Sequence, residues 1–134
     1  MIAIFIPGPP VGFARTRRSK SGHLFTPEKQ RDYAEAIGNI AASRMEGEPY
    51  SGPVLMQLRA TYSVPESWPQ KKKDAARWKT SKPDCDNIVK LAKDAMTKIV
   101  YRDDAQVVKV VAEKVYGQPE GLTITVQPIV ETAA

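Results

Sequence analysis

Residues 54 to 62, VLMQLRATY, alternate apolar and polar positions, with Val54, Met56, Leu58, Ala60 and Tyr62 on one side and Gln57, Arg59 and Thr61 on the other. Side chains of an extended chain point alternately to its two faces, so this stretch predicts a strand with one buried and one wet side. Ahead of it, IAIFI at residues 2 to 6 runs into the breaker PGPPVG and predicts a short buried strand. FARTRRSKSGHLF, residues 13 to 25, reads as a loop. The period then changes: Tyr33, Ala34, Ile37, Ile40 and Ala41 recur at helical spacing. This helix is expected to start at Thr26, a suitable cap, with Pro27 in the first helical position and Glu28 favoured by the dipole, and to stop before Gly47. A second helix over about Asp86 to Lys98 would bury Ile88, Leu91, Ala92, Ala95 and Ile99. QVVKVVAEKVY and LTITVQP, around the turn GQPEG, predict two closing strands, most simply a hairpin.

The resulting order, βαβαββ, implies an α+β fold: a two-layer sandwich of a mixed β-sheet with helices on one face. Residues 63 to 83 interrupt the pattern with three prolines, two tryptophans and six Lys or Arg against two acids. That segment is too short and aromatic for a domain linker and reads as a loop with one helical turn at QKKKDAARW. At 134 residues the chain suits one domain, 1–134, with a single core. Its 42% apolar and 26% charged residues are ordinary for a folded domain, and only the polar end ETAA invites disorder.

Charge and chemistry narrow the field. The net charge of +5 and pI near 9.4 point to a polyanionic partner. With no basic amphipathic helix, nucleic acid leads over a membrane surface. No apolar run approaches the roughly 20 residues of a membrane span, and the amino terminus lacks the marks of a signal peptide, so a cytoplasmic location is expected. One cysteine, Cys85, and one histidine, His23, exclude an internal disulfide and a Cys/His zinc site. Any metal must be held by oxygen, which favours Mg²⁺ or Mn²⁺.

The carboxylates of this basic chain collect within SKPDCDNIVKLAKDAMTKIVYRDDAQVV, residues 81 to 108. Capping is the ordinary explanation for Asp84 or Asp86 alone, since an acid at a helix start is favoured by about 0.3–1 kcal/mol. Asp103 and Asp104 alone would be turn residues before a strand. A calcium loop of the EF-hand kind fails, because Val89 stands where Gly is needed and Ala95 where Glu is needed. Lys90 shares a side of the helix with Asp86 and could pair with Asp86 or Asp94. Asp94 has Lys98 as an i+4 partner, which favours a structural role. Periodicity alone does not bring the two acidic pairs together. If they meet, carboxylates about 4 Å apart repel by roughly 4 kcal/mol at an effective dielectric near 20, and a cation or protonation must compensate.

KPDCDNIVKLAKDAM followed by IVYRDDAQVV resembles the signature of the RusA family of Holliday-junction resolvases, endodeoxyribonucleases common in phages and prophages. PGPPVGFARTRR, FTPEKQRDY and VPESWPQKKKDAARW extend the resemblance over most of the chain. It implies Asp84, Asp86 and Asp104 as magnesium-binding catalytic carboxylates, Asp103 as a supporting ligand and Lys90 as an essential lysine. It also implies a homodimer that cuts four-way DNA junctions in recombination and repair, leaving 5′-phosphate and 3′-hydroxyl ends. Cys85 departs from the family, where an aliphatic residue is more usual. Arg15, Arg17, Arg18 and Lys20 in one segment, and Lys71, Lys72, Lys73, Arg77 and Lys79 in the other, become candidate DNA contacts, set against the plain reading of solvated charge. Phe13, Phe25, Trp68 and Trp78 are candidate stacking residues, with packing the first expectation for both tryptophans. Two competing functions stand beside resolution: DNA binding without cleavage, and cleavage of other branched or flap DNA.

Overall fold

A computed structural model describes residues 1–14 and 17–130, with only the backbone of Arg17 and Phe25; ETAA and Arg15 lie outside the described residues. The elements are β1 (Ile2–Pro7), β2 (Arg17–Arg18), β3 (Leu24–Phe25), α1 (Glu28–Arg44), β4 (Val54–Tyr62), α2 (Gln70–Ala75), α3 (Cys85–Met96), a 3₁₀ turn (Asp104–Gln106), β5 (Val107–Tyr116) and β6 (Gly121–Pro128). Four strands form a mixed sheet in the order β1-β6-β4-β5. β6 runs antiparallel to both neighbours, while β4 and β5 are parallel.

The alternation in β4 is realised in full: Val54, Met56, Leu58, Ala60 and Tyr62 are buried, and Gln57 and Arg59 are exposed. Ile2, Ile4 and Ile6 of β1 and Leu122, Ile124 and Val126 of β6 turn to the same core. Ile37 and Ala41 of α1 and Ile88, Leu91, Ala92 and Met96 of α3 close it from one face, giving the expected two-layer α+β sandwich.

Several local expectations change. The last two strands are not a hairpin, because β4 lies between them. Residues 117–120 cross the end of β4 instead, where Gly117 N–H donates to Tyr62 O at 2.9 Å and Ser63 N–H donates to the Glu120 carboxylate at 2.8 Å. The parallel pairing of β4 and β5 needs a long crossover, which α2 and α3 supply. The loop at 13–25 contains the short antiparallel pair β2–β3, and the helical turn expected in the basic segment is α2. Thr26 does not cap α1; Pro27 is the N-cap and no side chain bonds there. α3 runs over Cys85–Met96, two residues short of the expected Lys98, which leaves the helix with φ of 72°.

Candidate active site

α3 is oriented by its apolar stripe, and its other side carries Asp86, Lys90, Lys93 and Asp94. These spacings keep the four residues on one side of the helix. Together with Val89, and with Asp104 and Val110 from the following chain, they line a cavity of about 440 Å³. A second cavity of about 800 Å³ lies beyond Lys90, which lines both; its wall includes Gly12, Phe13, Lys29, Lys82, Asp84 and Asn87.

The turn after α3 explains how Asp104 arrives. Lys98, in the left-handed region, donates its N–H to Tyr101 O at 2.6 Å, so the chain reverses within a few residues. Val100 and Tyr101 are buried, and the Tyr101 hydroxyl donates to Lys93 O at 2.7 Å, tying the turn to α3. Burial first, and then the Asp104 charge, push the Tyr101 phenol well above its ordinary value. Asp103 accepts Ala105 N–H at 2.9 Å and forms a capping box with Gln106. The Gln106 amide reaches back to Tyr50 O and Gly52 O, at 2.8 and 2.9 Å. Asp103 therefore has a structural task, while Asp104 lines the cavity.

Asp84 occupies the N-cap of α3 but makes no side-chain capping bond, so capping does not account for its carboxylate. Its lead-in is gripped on one side by the amino-terminal loop. Phe13 N–H donates to Asn87 O at 2.8 Å, and a Cβ on Gly12 would lie 2.9 Å from Pro83 Cβ. Lys90 Nζ stands 4.6 Å from the centre of the half-buried Phe13 ring. The surface pairs expected of Lys90 with Asp86 or Asp94, and of Asp94 with Lys98, do not form: the ion pairs among the described residues are Arg59–Glu113 and Arg102–Glu48. Asp94, expected to be structural through Lys98, lacks that pair and lines the cavity.

The structure thus gathers Asp86, Asp104 and Lys90 at one cavity and places Asp84 at its neighbour. Among the described residues, no three His, Cys, Asp or Glu side chains stand close enough to hold an ion together. The donor chemistry still fits a hard divalent ion. Mg²⁺ keeps several waters and is commonly bound through one or two carboxylates plus substrate phosphate, so a closed cage is not required. Asp94, Lys93 and Lys29 line the two cavities in addition to the site residues expected from sequence. For Asp94 and Lys93 the signal was available, because both lie on the Asp86–Lys90 side of α3; Lys29 comes from another element and had none.

The candidate DNA contacts divide. Arg18, Lys20, Lys71, Lys72 and Arg77 are exposed, and Lys73 is half-buried. The side chain of Arg17 lies outside the described residues. Lys72 Nζ sits 4.0 Å from the Trp68 ring centre and Arg77 5.2 Å from that of Trp78. Lys79 is committed to Ser81 Oγ at 2.8 Å and stands over the Tyr62 ring. Trp68 packs edge-on against Tyr116, as expected of a packing residue; Trp78 does not, being 54% exposed.

A mixed α+β sheet thus carries, on its covering helix and the turn that follows, carboxylates and a lysine at one cavity. Residues 7–127 match the family described as Endodeoxyribonuclease RusA, and the chain belongs to that family. It is 28% identical over 131 residues to the uncharacterized protein YqaN of Bacillus subtilis (strain 168), covering 91% of this chain and 92% of that protein. It is also 39% identical over 78 residues to the crossover junction endodeoxyribonuclease rusA of Lactococcus phage r1t, covering 58% of this chain and 56% of that one. No helix among the described residues is long and apolar enough to cross a membrane.

Proposed function

We propose that this endodeoxyribonuclease-family protein resolves four-way DNA junctions in recombination and repair by paired, symmetric nicks, using Mg²⁺, with Mn²⁺ as a substitute. The observation that carries the reading is the cavity that joins Asp86, Asp104 and Lys90 with no ion pair to neutralise them among the described residues. Asp84, Asp86 and Asp104 would hold the ion or ions, one or two carboxylates to each, with Asp103 in support beside its capping role. When bound, a divalent ion lowers the pKa of a water and offsets charge on the phosphoryl oxygens. The chain's own residues do the rest. Lys90, at the boundary of the two cavities, contacts the scissile phosphate and offsets its charge. Lys29 and Lys82 on the wall of the larger cavity favour the continuing DNA backbone.

Two opposed cuts suit a twofold dimer. β5 supports one: it is an edge strand with Val108 63%, Val110 39% and Val111 52% exposed. Backbone bonds from residues 77–79 reach its outer edge at Lys114 and Tyr116, beyond that valine stretch. An open apolar edge is a template for pairing with a second copy.

Cleavage of a synthetic four-way junction, with and without Mg²⁺, tests the reading. Metal-dependent paired nicks are expected, with Asp86→Asn losing cleavage while retaining junction binding. Tight binding without cleavage under any divalent ion would leave a DNA-binding protein only. Equal cutting of forks, flaps and junctions would assign a broader branched-DNA nuclease.

A further inference from the structure

We infer that Lys114 is a positioning residue for Asp84, holding the chain ahead of α3 so that this carboxylate meets the ion-binding site; the inference rests on the function proposed above. Lys114 is paired with Ala60 in the β4–β5 register and so sits on the helix-covered face of the sheet. Its neighbour Glu113 pairs with Arg59, whose side chain is on the wet face. Lys114 is half-buried, and an ammonium withdrawn from water is costly unless its donors are used. Two of its three are: Nζ lies 2.7 Å from Ser81 O and 2.7 Å from Pro83 O. These are charge-assisted bonds to the backbone immediately ahead of Asp84.

The geometry makes a clamp. Lys79 N–H donates to Lys114 O at 3.2 Å and Tyr116 N–H to Arg77 O at 2.8 Å, so residues 77–79 lie along β5. The Lys114 side chain then takes the next stretch, residues 81–83, and directs it into α3. Asp84 O accepts the N–H groups of Asn87 and Ile88, at 3.1 and 3.2 Å, which makes Asp84 the first anchor of the helix. Gly12 and Phe13 press on that same helix start. Asp84 is fixed between the two contacts, although it stands in the cavity next to the one holding Asp86 and Asp104. Small errors in the Pro83–Asp84 backbone would move its carboxylate further from them.

Lys114→Met keeps the length of the side chain and removes its donors, while Lys114→Arg keeps donors for both carbonyls. In metal-free full-length protein, Lys114→Met is expected to speed amide exchange at Asn87 and Ile88 while leaving the β4–β6 ladder protected. Calorimetric titration with Mn²⁺ should show about tenfold weaker binding, the usual order for removing a residue that orients a ligand, with recovery to within about threefold in Lys114→Arg. Junction binding in EDTA should be unchanged. Wild-type exchange at Asn87 and Ile88 together with wild-type Mn²⁺ affinity in Lys114→Met would overturn the inference. So would an equal loss of affinity in Lys114→Arg with those amides still protected. Should Lys114→Met fail to fold, Lys114→Leu, which is apolar and lacks donors, replaces it under the same criteria. If wild-type protein binds no Mn²⁺ and cuts no junction, the proposed function fails, and the exchange comparison still decides whether Lys114 holds the helix start.

Discussion

Replacing Gly12 by alanine tests whether the amino-terminal loop is fitted to the helix start that carries Asp84. The added Cβ would lie 2.9 Å from Pro83 Cβ and 3.3 Å from Asn87 Cβ, against an ordinary carbon contact of about 3.5–4.0 Å. Pro83 Cβ belongs to a ring and cannot rotate away. Overpacking of this kind costs about 1–3 kcal/mol, and the stiffer unfolded chain returns about 0.4–1 kcal/mol, so the net loss spans about 0–2.6 kcal/mol and centres at about 1–2 kcal/mol. For a domain of this size each kcal/mol lowers Tm by about 3–5 °C, so a fall of about 3–10 °C is expected in a thermal melt. The loop can instead lift from α3, breaking the 2.8 Å bond from Phe13 N–H to Asn87 O and shifting Phe13 from Lys90. Tm would then fall less and junction cleavage more. Gly52→Ala is the control, since its Cβ meets nothing within 4 Å. Unchanged Tm and unchanged cleavage in Gly12→Ala would refute the fit, because one or the other has to yield.

Salt dependence checks the basic segment: Lys71→Ala with Lys72→Ala should reduce the slope of log affinity against log salt by up to about 1.8, and a wild-type slope would remove α2 from the DNA interface. Alkaline denaturation checks the buried phenols. Tyr33, Tyr62 and Tyr101 are all raised, chiefly by burial, so the unfolded chain loses these protons first. Their contribution is intact below the ordinary tyrosine value of about 10 and falls as pH rises above it, by up to about 1.4 kcal/mol per pH unit for the fully buried Tyr101. Urea midpoints that stay flat from pH 9 to 11 would contradict that burial.

The sequence made legible what depends on neighbours along the chain. The period-two pattern of β4 and the stripe on α3 each have a single buried face, so the elements followed directly. On α3, Ile88, Leu91 and Ala92 are buried as expected, Ala95 and Ile99 are only half-buried, and Met96 is buried in addition. Strand order did not follow, since a four-residue connection between β5 and β6 is equally short whether the strands pair directly or flank a third. What places β6 between β1 and β4 is pairing across more than fifty residues. Trp78 departs from the packing expected of it for a similar reason. Its backbone bridges to Val115 on β5, which leaves the ring outside the core.

The acidic motif was legible as chemistry but not as geometry, and the difference lies in the turn after α3. Asp86, Lys90 and Asp94 share a side of the helix by spacing alone. Asp104 joins them only because Lys98 takes a left-handed conformation and Tyr101 is buried with its hydroxyl on Lys93 O. Neither follows from the pattern of residues 97 to 104. Once the turn is made, charge sets the remaining requirement. A chain of net charge +5 draws a polyanion toward it, yet Asp86, Asp94 and Asp104 at the cavity would repel the phosphate that arrives. Lys90 and Lys93 on the same wall offset part of that repulsion; on the function proposed above, a divalent cation between carboxylate and phosphate would offset the rest. The ion of the proposed function would reconcile the acids with the basic surface, which is why the metal arm of the cleavage assay bears on the whole site and not on one residue.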